Sequence, residues 1–121
     1  MKKQSELVKA YLALYNIGRQ PWPGPIARKI FMMRKALKPA FDFQREQEDM
    51  LIKKYNGIQK GTSVEFPDKD LAEKYSTERD EVSNMEVDDI DFLPFEIKLT
   101  TDVSLSPVDL EALDGFVEFV E

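Results

Sequence analysis

The stretch from Pro25 to Tyr55, PIARKIFMMRKALKPAFDFQREQEDMLIKKY, constrains this chain more than any other. Ile26, Ile30, Met33, Leu37, Phe41, Gln44, Glu48, Leu51 and Tyr55 succeed one another at steps of four or three. That spacing puts them on one face of a helix. A helix over 25–55 is a rod of about 45 Å at 1.5 Å per residue. In a chain of 121 residues the remainder has to fold back onto such a rod, and one domain is expected. Pro25 suits the first helical position, where its missing N–H would be unpaired anyway. Pro39 lies inside the pattern and removes a backbone hydrogen bond there. The sequence therefore predicts either a kinked helix or two helices nearly in line, divided near 38–39. The first half is apolar and basic, the second amphipathic and more acidic. Asn56-Gly57 supplies the C-terminal stop.

The other pieces can be placed around it. A helix is predicted over 5–17, with Ser5 as N-cap and Gly18 at its end. Its apolar stripe is widened by Val8, Leu12 and Tyr15, as expected of a helix buried on two sides. The loop RQPWPGP (19–25) carries three prolines and a glycine, so it has no regular structure. Residues 62–66 alternate like a short strand. Asp68 or Asp70 caps a further helix over 69–85, whose apolar register matches the second half of the rod. The two helices should pack antiparallel, along a polar and partly exposed seam containing Gln44, Glu48 and Glu78. Residues 89–99 read as one or two strands broken at Pro94. We expect them to pair with 62–66. Ser106-Pro107-Val108-Asp109 begins a short helix over 107–117. The fold class is thus α+β, mainly α: a long kinked helix, an antiparallel partner helix, an N-terminal helix, a small antiparallel β element and a short C-terminal helix.

Two residue types are missing altogether. Without cysteine there is no disulfide, thiolate nucleophile or cysteine-bound zinc; without histidine the commonest general base and transition-metal ligand is gone. Most enzyme classes are disfavoured, and no catalytic, cofactor or metal residue is assigned. No run of about 18 apolar residues is present, so no membrane helix is expected. The N-terminus reads as a mature helix rather than a signal peptide, because Lys9 interrupts its apolar stretch.

Charge is divided along the chain. Residues 1–38 hold nine lysines and arginines against one acid, Glu6, whereas 39–121 hold eight bases against 22 acids. The two parts either neutralise one another, within the fold or between copies, or form a basic face for an acidic partner or phosphate. Arg28, Lys29, Arg34, Lys35 and Lys38 lack interleaved exposed aromatics and no nucleic-acid motif is present, so nucleic acid is not the expected partner.

Candidate contact residues are few. Trp22, stiffened between Pro21 and Pro23, is either a ligand platform or a plug that pins the loop to the core, the commoner role. Met32 and Met33 are either an adaptable partner surface or core filling, again the commoner role. Phe116 and Phe119 make the C-terminal stretch unusually apolar, so it docks on the body or on another chain. Glu86, Asp88, Asp89 and Asp91 form an acidic patch without the calcium-loop pattern, and no metal is assigned to it. The glycines have neither phosphate-loop nor dinucleotide spacing.

The order LVKAYLALYNI, a proline loop, ARKIFMMRKALKPAFDFQREQEDMLIKKYNG, a polar segment, EVDDIDFLPFEI and LSPVDLEALDGFVEF resembles small bacteriophage and prophage proteins. The likeness spans most of residues 5–119 and brings no catalytic residues with it. It implies a non-enzymatic protein of virion structure or assembly, working by self-association or contact with other phage proteins, in the host cytoplasm or the virion. The alternative it implies is an inhibitor that binds a host protein through the acidic C-terminal half.

Overall fold

In the computed structural model, which describes residues 2–99 and 104–120, the rod is a single helix, α2 (Gly24–Lys54). It runs unbroken through Pro39, so the reading as two separate helices is set aside. Pro39 has no N–H for the Lys35 carbonyl, so one backbone hydrogen bond is missing inside the helix, and its ring is exposed. At the C-terminal end the amides of Asn56 and Gly57 bond back to the carbonyls of Lys53 and Ile52, at 3.2 and 2.7 Å. Asn56 takes the left-handed conformation, φ 58°. This double closure satisfies carbonyls that a helix end otherwise leaves open.

α1 (Gln4–Ile17) lies along the first half of α2. Leu7, Ala10, Leu14 and Ile17 of α1 meet Ile30, Met33, Leu37 and Ala40 of α2 in the core, all with under a twentieth of their surface exposed. Burying one leucine of this kind contributes about 2 kcal/mol. Tyr11 stacks on Phe41 with ring centres 4.5 Å apart. Arg34 extends over Tyr15. The helix begins two residues earlier than a Ser5 cap would have it, at Gln4 with Lys3 as the cap residue. Its first amide, from Gln4, is taken by the Met85 carbonyl at 2.8 Å, and the Glu6 carboxylate accepts the Lys3 amide at 3.1 Å. Those two acceptors do the work assigned to a Ser5 cap.

α3 (Lys69–Ser83) is antiparallel to the second half of α2, as its register predicts. Gln44 bonds to Ser83, Glu48 to Arg79 and Lys54 to Glu78, so partner numbers fall as α2 rises. Asp68 caps it, accepting the Leu71 amide at 2.9 Å. No residue of α3 is fully buried, which matches the polar seam. A two-strand hairpin, β2 (Ile58–Lys60) and β3 (Ser63–Glu65), links the two helices.

The strand pairings differ from expectation. The 63–65 strand pairs with 58–60, not with 89–99. β1 (Lys2–Lys3) pairs antiparallel with β4 (Glu86–Val87), while β5 (Phe95–Lys98) pairs in parallel with β6 (Val117–Val120). Parallel neighbours need a crossover, here containing α4 (Pro107–Ala112). Ser106 caps α4 through the Asp109 amide. The helix expected over 107–117 is cut short because Gly115, at φ +85°, turns the chain into β6. Ile97, Leu113, Phe116 and Val117 join the same core.

Candidate functional site

Residues 88–94 cross from β4 to β5 beside the N-terminal half of α2. Phe92 fixes this crossing by stacking on Phe116, ring centres 4.8 Å apart. Side chains alternate along an extended segment, so the next residue, Leu93, turns outward and is 87% exposed. Between this segment and α2 lies an open groove of about 990 Å³. Met32, Met33 and Ala36 form the helix wall; Phe92, Leu93 and Phe95 form the other. Arg28 and Lys29 stand at one rim and Asp91 at the opposite side. The lining is mainly apolar with a few charges at the edge, the chemistry of a surface that takes up a side chain or short segment.

The expected contact residues scatter. Met32 lies in the groove and is 45% exposed. Met33 is a correction: it shares the groove's wall but is 4% exposed and belongs to the core, because the 3.6-residue period turns it toward α1. Phe116 is likewise corrected, being 1% exposed between Phe92 and the Lys2 ammonium. Phe119 is half-buried in β6 against the same core. Trp22 is the plug: half-buried, it donates its indole N–H to the Ile17 carbonyl at 2.7 Å.

The acidic patch does not converge. Glu86 pairs in register with Lys3 across β1 and β4. Asp88 borders a hollow with Lys2 and Glu6, and Asp89 one with Gln4 and Pro39. Asp91 reaches the groove. Among the described residues no three acidic side chains come together as a metal would require. All four are exposed.

The displaced titrations lie along α2 and α3, away from the groove. Lys54 donates to Glu78, which raises the lysine's pKa and lowers the glutamate's; Tyr55 adds to both. Asp42 raises that of Lys38 through a hydrogen bond. Burial, then the Glu48 charge, raises that of Tyr75. Lys54 with Glu78 and Arg79 with Glu48 join α2 to α3, while Lys38 with Asp42 lies within α2. Of the shifted groups, Tyr75 and Arg79 border a hollow that Glu48 and Asp49 also line.

Sequence reasoning missed the groove and two tethers. Gln20 exchanges a pair of hydrogen bonds with the Ser104 backbone, holding the proline loop to the segment before α4. Gln4 is buried and reaches the Ala40 carbonyl. A lone glutamine carries no periodic signal, and nothing in the apolar pattern of 90–99 sets Leu93, 87% exposed, apart from the buried Ile97.

Among the described residues no helix is long and apolar enough to cross a membrane. Comparison with protein-family models, with curated proteins and with solved structures finds no match.

Proposed function

We propose that this chain is a non-enzymatic contact protein of the phage or prophage type, acting by self-association in virion structure or assembly. The observation that carries the reading is the groove beside α2, with Leu93 held out on an anchored backbone and Met32 exposed in the facing wall. The lack of histidine and cysteine agrees with it. So does the charge division: of the nine bases in residues 1–38, only Lys2 and Lys38 form ion pairs among the described residues, each with an acid four positions on. Among the described residues most bases of the first segment therefore have no ion-pair partner, and a partner surface is a natural complement. Light scattering on the eluting protein tests it: a mass of two chains or more supports self-association, and a single chain of 14.0 kDa at every concentration overturns it.

A second reading has its own support. Glu86, Asp88, Asp89 and Asp91 are exposed and make no ion pair among the described residues, as an inhibitor that binds a basic host protein would need. Such binding would weaken steeply as salt rises, and would be seen with the chain itself monomeric.

A further inference from the structure

The two walls of the groove are opposite in sign and each lacks a counterpart. Arg28 and Lys29 on α2 make no ion pair among the described residues, nor does Asp91 on the loop. Leu93 is a knob without a hole in its own chain, because Phe92 holds its backbone while the side chain stands in solvent. The floor between Met32 and Phe95 is a hole without a knob. An apolar anchor entering a pocket inside a ring of charge is the usual centre of a protein interface. A two-fold axis satisfies both wants at once, since contact of one surface element with another is then repeated in reverse.

Building on the self-association reading, we propose that the groove is filled by the Leu93 loop of a second copy. Leu93 of each protomer enters the groove of the other beside Met32, and Asp91 of each meets Arg28 and Lys29 of the other. The complementarity is built into one chain, so the dimer is closed and needs no other partner.

The test is light scattering and sedimentation over a range of concentrations on the full chain and its variants. Leu93→Asp, the pair Arg28→Glu with Lys29→Glu, Asp91→Lys, and the triple variant carrying both charge reversals are compared. The altered side chains are exposed, so circular dichroism and the melting temperature should match the parent and rule out misfolding. The expected result is a dimer weakened on the order of tenfold or more by Leu93→Asp and by either charge reversal alone, with the triple variant restored. A dimer indifferent to Leu93→Asp overturns this interface and leaves self-association through another face. Loss with Leu93→Asp but no restoration in the triple variant overturns the Asp91 register. A monomer throughout overturns both this interface and the self-association reading, leaving the groove to a different protein.

Discussion

Gln4 donates its side-chain amide to the carbonyl oxygen of Ala40 at 2.6 Å, across 36 positions of sequence. The donor is 2% exposed, and the acceptor lies one residue after Pro39. The bond ties the start of α1 to the middle of α2. Gln4→Ala removes the bond and leaves a void, at a cost of about 2 kcal/mol. Gln4→Leu fills the space and leaves no orphan at Ala40, whose carbonyl keeps its helix partner, so it costs less. Urea midpoints at unchanged slope measure both.

The turn after α2 makes a prediction about two neighbours. Asn56 sits at φ 58°, and Gly57 has no room: an added Cβ would lie 2.8 Å from a Phe66 ring carbon and 3.0 Å from methyl groups of Ile52 and Val64. Gly57→Ala therefore costs about 1–3 kcal/mol by overpacking. Asn56→Ala costs about 1 kcal/mol through the left-handed conformation. Asn56→Gly is close to neutral. Thermal melts of the three variants give the order.

α3 buries nothing completely, whereas α1 and the first half of α2 share the core. Opening of α3 should therefore cost less than global unfolding. Native-state hydrogen exchange is expected to show amides of 72–83 exchanging well before those of 30–44. Leu37→Ala, at a site with 0% exposure, costs about 3 kcal/mol. Leu71→Ala, half-buried, costs about a third of that.

The α2–α3 seam has a pH window. The folded pKa of Glu78 is held below its ordinary value by the Lys54 hydrogen bond, so its contribution is present above the ordinary glutamate range and fades as pH falls through the folded value. Lys54 and Tyr75 are raised, Lys54 mainly by Glu78 and Tyr75 mainly by burial. Their contributions are present below the ordinary lysine and tyrosine values and fade as pH rises through the folded ones. The melting curves of the parent and of Glu78→Gln should thus differ most near neutrality and converge at both acid and alkaline extremes.

The parts legible in the sequence were those governed by local chemistry. The 3.6-residue period marked α1, α2 and α3; Asp68 and Ser106 marked two helix starts through amides three residues on. What escaped was long-range. The helix predicted over 107–117 ran past its true end at Ala112, and only Asp114-Gly115 warned of the stop that Gly115 makes at φ +85°. The β5 partner of β6 lies a whole crossover away, so no nearby residue signals it. The groove exists because 91–95 pass the beginning of α2, a juxtaposition that neither segment encodes alone. For Met33 and Phe116 the sequence left two roles open, core or contact surface, and the packing puts both in the core.

Trp22 is the chain's single tryptophan, and its indole is wedged at the corner between α1 and α2. The molecule thereby carries its own optical gauge at that hinge. Emission under selective excitation will move to longer wavelength when the corner lets in water, and will hold still when loosening is confined to α3.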